Sequence, residues 1–151
     1  MRRMTCVGLA AATMIGVLGT AQAPAQEKVV THNNVSFVSG GVGVDSEERL
    51  KARAKEFNLK LVFTLVEGNY LADIQVSLKD ASGKTLVEDV ADGPFFMAKL
   101  PAGAYSVTVG NNGQIQTRKV SVRVGGLRTE YFRWPSNPQT DFPLPPEQRR
   151  E

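Results

Sequence analysis

The hydrophobic pattern of the chain changes its period at Asn58. Before this residue, Leu50, Ala54 and Phe57 fall at i, i+4 and i+7, which is the spacing of one face of an α-helix. After it, apolar residues recur at every second position, the period of a β-strand. Glycine and proline separate the apolar runs that follow. The pattern therefore predicts one helix and then a series of strands.

The helix is predicted over about residues 46–57. Asp45 or Ser46 is the expected N-cap, since both side chains can accept a hydrogen bond from the first turn. Glu47 and Glu48 place negative charge in that turn, where the helix dipole favours it. A helix this short is stable only when its apolar face packs against the rest of a protein.

The strands are short and separated by turn residues. Asn111-Asn112-Gly113 predicts a tight hairpin, and the other breaks also contain glycine or proline. The spacing is typical of an antiparallel β-sandwich or an open barrel, so the predicted fold class is mainly β. In chain order, the predicted strands cover residues 35–39, 59–66, 73–79, 84–90, 95–100, 105–109, 119–124 and 127–134.

The start of the chain differs from this middle part. Arg2 and Arg3, a thirteen-residue run without charge and two Ala-x-Ala frames are typical of a secretory signal peptide over residues 1–25. We expect cleavage after Ala25, with Ala23 as the alternative, and a periplasmic or secreted product. The uncharged run is shorter than the roughly 20 residues that span a bilayer. A stable transmembrane anchor is therefore not expected.

The end of the chain also has its own composition. Five of the eight prolines lie in residues 135–151, and proline cannot donate a hydrogen bond to a central strand. We expect a flexible Pro-rich tail; the alternative is a Pro-rich ligand for a partner. The remaining residues, 26–134, are numerous enough to form one domain with its own core.

The predicted cleavage changes the charge and the redox chemistry. The full chain carries a formal net charge of +3, one cysteine and one histidine. Arg2, Arg3 and Cys6 would be removed, which leaves 16 basic and 15 acidic residues and no thiol. A nearly neutral exported protein is a poor candidate for a nucleic-acid partner.

A family resemblance is carried by the turn in residues 100–107, which read Leu-Pro-Ala-Gly-Ala-Tyr-Ser-Val, and by the strand and Asp-Ala-Ser-Gly turn in residues 74–84. Residues 59–124 resemble carboxypeptidase regulatory-like domains, whose hairpin reads Leu-Pro-x-Gly-x-Tyr-x-Val. The glycine-rich segment 38–43 and the helix are similar to short exported proteobacterial proteins of unassigned function. The resemblance implies an antiparallel transthyretin (prealbumin)-like β-sandwich and no particular activity.

The residues of this turn suit a structural role. Pro101 presets φ for a turn, Gly103 tolerates a positive φ, and Tyr105 re-enters the core with a hydroxyl that needs a partner. We interpret all three as structural rather than catalytic.

The glycine loop before the helix is the first candidate for chemistry. Gly40, Gly41 and Gly43 lie between a strand and a helix start, as in phosphate-binding turns. The loop lacks both the third glycine of the dinucleotide pattern and the Gly-Lys-Ser/Thr of a P-loop. The acidic first turn of the helix would repel an anion. We expect a tight, closely packed turn that also forms part of a ligand or partner surface.

His32 is the only histidine and lies in a polar segment, where we expect it to be exposed and without regular structure. A single histidine cannot form a His/Cys zinc site. A serine hydrolase set is conceivable from composition, but no Gly-x-Ser-x-Gly elbow is present. Transthyretin-like hydrolases use several histidines with an arginine and end in Tyr-Arg-Gly-Ser, which this chain lacks. We therefore predict no enzyme, no catalytic residue and no cofactor; a hydrolase is the alternative.

Acidic residues in turns are the candidates for calcium. Glu88, Asp89 and Asp92 lie close together in sequence, and Asp80 occupies another turn. Calcium sites use such oxygens, but the spacing fits no EF-hand. We predict solvated turn carboxylates and no metal site, with a weak calcium site as the alternative.

The last predicted strand combines bases with aromatic residues, namely Arg128, Tyr131, Arg133 and Trp134. One interpretation is a sheet face with core aromatics. The other is a contact surface for an anionic lipid, a glycan or a protein, formed with the glycine loop and the helix. Arg118, Lys119 and Arg123 precede this strand and add positive charge.

The overall prediction is an exported, non-enzymatic binding or accessory module. Its partner is expected to be another envelope protein or a glycan, and no nucleic acid. A carbohydrate-binding β-sandwich is a further alternative, which would need exposed aromatic rings such as those of Tyr70, Tyr131 or Trp134.

Overall fold

The computed structural model describes residues 27–137, which form two β-sheets and one α-helix. The predicted signal peptide and residues 138–151 of the predicted tail lie outside the described residues. The elements in chain order are β1 Val30–His32, β2 Val35–Gly40, α1 Val44–Arg53 with a following 3-10 turn Ala54–Glu56, β3 Leu59–Leu65, β4 Ile74–Asp80, β5 Thr85–Ala91, β6 Phe95–Lys99, β7 Gly103–Asn111, β8 Gln114–Val122 and β9 Arg128–Trp134.

The mainly β prediction with one helix is confirmed, and each predicted strand corresponds to an observed one. Two details of the strand prediction are wrong. The strand β1 was not predicted, and it contains His32, which is exposed but not without regular structure. Val124 was predicted to continue the alternation of β8, yet its side chain is 81 % exposed because the strand ends at Val122.

The helix begins and ends earlier than predicted. It starts at Val44 with Gly43 at the N-cap, and no side chain caps it. The expected cap Ser46 is used otherwise: its hydroxyl accepts a hydrogen bond from the Gly41 N–H (2.8 Å) and donates one to Glu27. After Arg53 the helical segment tightens into the 3-10 turn.

The strands form a five-stranded sheet with the order β1-β2-β6-β3-β9 and a four-stranded sheet with the order β5-β4-β7-β8. All pairs are antiparallel except β3 and β9, which run parallel with Leu59 opposite Arg128 and Leu65 opposite Trp134. The predicted antiparallel pairing therefore holds for every strand pair of the described chain except this one. The last residue of β8 lies close to the level at which β3 begins, and the chain crosses there to the five-stranded sheet. Strand β9 therefore starts beside the start of β3 and runs in the same direction.

The main core lies between the two sheets. Alternate residues of β3, from Leu59 to Leu65, are at most 2 % exposed and pack against inward residues of the four-stranded sheet such as Ile74, Leu78 and Val107. This alternation in β4 and β7 confirms the predicted buried face. Close packing of such side chains is the main stabilising contribution.

A second, smaller core covers the outer face of the five-stranded sheet. Leu50 and Phe57 of the helical segment pack there against strand residues that include Val62 and Phe95. Strand β3 is consequently buried on both faces, which explains why Val62 and Thr64 are also buried. The helical face predicted from Leu50, Ala54 and Phe57 is the one that packs on the sheet, although Phe57 itself follows the 3-10 turn.

Side chains close the two open seams between the sheets. At one seam, Gln116 Nε2 and Arg118 Nη1 donate to the carbonyl oxygens of Arg133 (2.8 Å) and Tyr131 (2.6 Å). These bonds occupy backbone acceptors on the outer edge of β9, and unpaired edges of this kind invite aggregation. At the other seam, Asn33 Nδ2 donates to the Leu86 carbonyl (3.2 Å).

The Pro-Ala-Gly turn is built around a tyrosine. The Tyr105 hydroxyl donates to the Pro101 carbonyl at 2.6 Å, and the ring is 7 % exposed. Burial raises the pKa of the Tyr105 phenol. Gly103 does not adopt the positive φ that the sequence suggested; it is the first residue of β7. At the predicted hairpin, Asn112 and Gly113 do have positive φ values and join β7 to β8 as a two-residue loop.

A buried asparagine fixes the connection between the helix and β3. Asn58 is 8 % exposed, and its Nδ2 donates to the Leu100 carbonyl (2.6 Å) while its Oδ1 accepts from the Leu100 N–H (2.8 Å). Both backbone groups of Leu100 thus depend on one side chain.

Asn58→Ala should therefore lower the free energy of unfolding by about 2–4 kcal/mol, because two buried backbone groups lose their partner. The measurement is chemical denaturation of the variant and the parent protein. Asn69→Ala is the matched control, since the Asn69 backbone rather than its side chain is hydrogen-bonded and the residue is exposed. Equal losses in the two variants would contradict this role of Asn58.

Candidate functional site

The glycine loop is closely packed. A Cβ at Gly41 would overlap the Phe95 ring, and one at Gly40 would lie 2.7 Å from Glu27 Cγ and 3.4 Å from Leu50 Cδ1 and Ser46 Oγ. A Cβ at Gly93 would overlap the carbonyl of Gly40. Gly41 has a φ of 93°, which side-chain-bearing residues rarely adopt. The loop thus brings its backbone against an aromatic ring and a neighbouring chain segment.

Only Gly43 of this loop faces open space, with no atom within 4 Å of the position that a Cβ would take. It is the N-cap of α1, with φ 85° and ψ 157°. This backbone conformation is essentially restricted to glycine. Gly43 is therefore required by its conformation, and Gly41 by both conformation and packing.

An acid–base cluster ties residue 27 to the helix. Arg49 Nε and Nη2 donate to the two carboxylate oxygens of Glu27 at 3.0 and 2.9 Å, and Ser46 donates to the same carboxylate. The Glu27 side chain is 12 % exposed and that of Arg49 is 34 % exposed. The paired guanidinium lowers the pKa of Glu27 from about 4.5 to about 2, against a smaller opposing effect of burial.

The outer face of the five-stranded sheet carries an arrangement of aromatic and basic residues beside the glycine loop. The Lys60 Nζ lies 4.3 Å from the centre of the Phe95 ring, and the Tyr70 ring meets Phe95 edge-on with centres 5.3 Å apart. Burial lowers the pKa of the Lys60 ammonium, and Lys51 lowers it further. Phe95 itself is 4 % exposed, whereas Tyr70 is 54 % exposed.

Two residues of β9 extend this face. Tyr131 lies opposite Val62 in the sheet and Arg133 opposite Thr64, so both side chains share the outer face with Lys60. Tyr131 is 52 % exposed, and the Arg133 guanidinium carbon lies 5.8 Å from its ring centre. We call the set Lys60, Tyr70, Phe95, Tyr131 and Arg133 the aromatic–basic face.

The structure divides the predicted contact residues of β9 between two faces. Phe132 and Trp134 point into the main core, and Trp134 is only 1 % exposed with its Nε1 donating to the Gln114 carbonyl (3.2 Å). Trp134 therefore cannot serve as an exposed binding ring. Arg128 lies on the same side of β9 as these two residues and pairs with Glu130 at 2.6 Å.

Of the predicted contact residues, the glycine loop, Tyr131 and Arg133 share the outer face of this sheet, while Arg128 and Trp134 do not. Prediction from sequence missed Lys60 and Phe95. Lys60 lies between two buried leucines of β3. A lysine within such an apolar strand was the sequence feature that could have identified it. Phe95 gave none, because it has the pattern of an ordinary core residue.

The other sequence candidates have structural contacts. His32 Nδ1 lies 3.3 Å from the Leu86 carbonyl and 3.0 Å from the Asn33 amide nitrogen, at the seam between the sheets. The Asp80 carboxylate accepts hydrogen bonds from the Ser82 N–H and hydroxyl and from the Lys84 N–H. These bonds, above all that of the Ser82 hydroxyl, lower the pKa of Asp80.

Within residues 27–137, no group of three or more His, Cys, Asp or Glu side chains is arranged to hold a metal ion. Glu88 and Asp89 are consecutive in β5, and consecutive residues of a strand point to opposite sides. Asp92 follows the strand and is exposed. In the same range, no helix is long and apolar enough to cross a bilayer.

No protein-family model and no curated protein matches the chain. The function must therefore be inferred from the residues of the chain itself.

Gly41→Ala should lower the free energy of unfolding by about 2 kcal/mol more than Gly43→Ala does, because only the first adds a Cβ against the Phe95 ring. Both positions have positive φ values, so the backbone cost is shared by the two variants. Thermal or chemical denaturation measures the difference. An equal loss in the two variants would show that the glycine loop is not held by its contact with Phe95.

The lowered pKa of Glu27 implies that its carboxylate contributes a pH-dependent amount to the free energy of unfolding. Because its pKa is lowered on folding, this contribution is complete above about pH 4.5 and is lost as the pH falls towards 2. We expect Glu27→Gln to cost about 1 kcal/mol at pH 7, an amount reduced by the solvent exposure of Arg49. The difference between variant and parent protein should shrink as the pH falls to about 2.5. A pH-independent difference in denaturation midpoints would contradict the assignment.

Proposed function

We propose that the protein is an exported, non-enzymatic binding module with a transthyretin-like β-sandwich fold, and that its aromatic–basic face contacts the partner. The observation that carries the proposal is the presence of two half-exposed tyrosines, Tyr70 and Tyr131, on one face of a sheet that also presents Lys60 and Arg133. Tyrosine and arginine are enriched among the residues that dominate binding energy.

The fold part of the proposal is supported by two features. Two sheets enclose a common core, and the Tyr105 hydroxyl closes the Pro101 turn. The second feature gives a structural reason for the Leu-Pro-x-Gly-x-Tyr-x-Val pattern, on which the resemblance to carboxypeptidase regulatory-like domains depends. The proposed periplasmic location is supported by the signal-peptide pattern in the sequence of residues 1–25.

The aromatic–basic face is suited to binding because its side chains are held in place before a partner arrives. Tyr70 packs edge-on against Phe95, and Phe95 is fixed in turn by the Gly41 backbone and the Lys60 ammonium. Side chains that are ordered in the free protein lose little entropy on binding. Strand β3, which runs under the face, is buried on both sides and provides a rigid support.

The candidate partners are another envelope protein and a glycan. The glycan is favoured by the position of the two tyrosines, one on each side of β3, because neighbouring strands lie about 4.8 Å apart. An extended sugar chain lying across β3 would then contact both rings. Lys60 and Arg133 add hydrogen-bond donors and positive charge, which suits acidic sugars.

The alternative of a hydrolase has less support. His32 is engaged with the Leu86 carbonyl and the Asn33 amide at the seam between the sheets, and it lies in β1 at the edge of the five-stranded sheet, whereas the aromatic–basic face lies on and around β3. These contacts help to close the seam between β1 and β5, at the edges of the two sheets. We therefore assign His32 a structural role.

Two assays test the proposal. One measures retention of the protein on immobilised neutral and acidic polysaccharides, and the other measures capture of proteins from an envelope extract. We expect the parent protein to bind in one of these formats and Tyr70→Ala and Tyr131→Ala each to weaken that binding about tenfold or more. Ile115→Ala is the matched control, because Ile115 is 70 % exposed on the other sheet. Unchanged binding by both tyrosine variants would assign the contact to another surface.

A further inference from the structure

Exposed cations of the described chain concentrate at one end of the strands. At the end where β3 and β9 begin, four exposed cations surround the loop between β8 and β9; they are Lys55, Lys99, Arg123 and Arg128. We call these four residues and the loop Val124–Leu127 the basic end.

Two acidic residues close to the basic end, Glu56 and Glu130, are already paired with arginines. The Glu56 carboxylate accepts hydrogen bonds from Arg53 Nε (3.2 Å) and Nη2 (3.0 Å). Arg53 lowers the pKa of Glu56, with smaller effects of Lys55 and Lys99. Glu130 contacts both Arg128 (2.6 Å) and Arg118 (3.7 Å). In the described part of the chain, Lys99 and Arg123 have no carboxylate within 4 Å, so their charge faces solvent.

The opposite end carries acidic residues. It is the end where β3 and β9 finish, and the glycine loop and the start of α1 also lie there. The acids at this end are Glu27, Asp45, Glu67 and Asp92. Cations at this end are Lys28, Arg133 and Arg49, and Arg49 is paired with Glu27, so the separation of charge between the two ends is partial.

An apolar loop projects from the middle of the basic end. Val124 is 81 % exposed, the highest value among the large apolar residues of the described chain, and Leu127 is 40 % exposed. Gly125 and Gly126 between them have nothing within 4 Å of a Cβ position, and Gly125 has a φ of 82°. The loop is a tight turn that holds two apolar side chains out in solvent.

We propose that the basic end docks on the surface of an anionic membrane. Val124 and Leu127 insert between the lipid headgroups, and Lys55, Lys99 and Arg123 contact the lipid phosphates. Peripheral attachment of this kind combines a small buried apolar area with electrostatic attraction to anionic lipid. It needs no transmembrane segment and does not use the aromatic–basic face.

Charge favours a bilayer over a folded protein as the occupant. The loop lines one groove with Lys55 and Lys99 and lies between Arg123 and Arg128, so its two apolar side chains lie beside four cations that match anionic lipid headgroups. Docking at the basic end would leave the aromatic–basic face at the side of the protein.

Vesicle co-sedimentation of the full chain, purified as cells process it, tests the electrostatic part. We expect binding to vesicles that contain phosphatidylglycerol, little binding to pure phosphatidylcholine, and a loss of about tenfold on raising the salt concentration to about 1 M. Lys99→Glu and Arg123→Glu should each weaken binding about fivefold or more. Lys28→Glu is the control, because Lys28 is exposed near the acidic end. Equal binding to both lipids, or an equal loss with Lys28→Glu, would overturn the proposal.

Fluorescence tests the insertion of the loop. Trp134 is the only tryptophan of the chain and is 1 % exposed, so it gives a constant background. In the Val124→Trp variant, the tryptophan emission should shift to shorter wavelength when phosphatidylglycerol vesicles are added. In the Ile115→Trp variant, whose new tryptophan is at a similarly exposed position, the emission should not shift. Vesicle binding without a shift at residue 124, or with equal shifts at both positions, would refute insertion. Polysaccharide retention is measured separately, so failure here is distinguishable from failure of the proposed function.

Discussion

The burial of β3 on both faces is the constraint on which the rest of the structure depends. Its alternate side chains from Leu59 to Leu65 fill the space between the sheets, while Val62 packs under the helical segment on the other side. The strand is also paired along both edges, with β6 and with β9. A strand held in this way cannot shift its register without exposing one of the two cores. It therefore fixes which residues of the neighbouring strands share the outer face.

Phe95 links the packing of the fold to the proposed contact surface. The ring lies against the Gly41 backbone, under the Lys60 ammonium and beside Tyr70. The glycine loop is thus required for the aromatic–basic face even where the loop itself contacts no partner. Glu27 and Arg49 add to this by holding the Ser46 hydroxyl against the Gly41 N–H. One connected set of contacts runs from residue 27 to the exposed tyrosine.

The aromatic–basic face and the basic end differ in how many of their residues the sequence predicts. Tyr131 and Arg133 were predicted as contact residues because aromatic and basic residues alternate in the last strand, yet the same pattern also suggested Trp134, which is buried. The alternation of residue types along a strand separates its two sides but does not show which side faces solvent. The basic end was reached only in part, because its cations come from residues as distant in sequence as Lys55 and Arg128.

The sequence by itself determined the helix, eight of the nine strands, the hairpin at Asn112-Gly113 and the inward faces of β4 and β7. These features follow from local periodicity and turn chemistry. Only the tertiary structure decided that β9 joins β3 in parallel and that the Ser46 hydroxyl bonds to Glu27 instead of capping the helix. It also decided that cations from distant segments gather around the loop between β8 and β9. The physical reason is that each depends on strand order and on contacts between segments far apart in the chain, which no local pattern specifies.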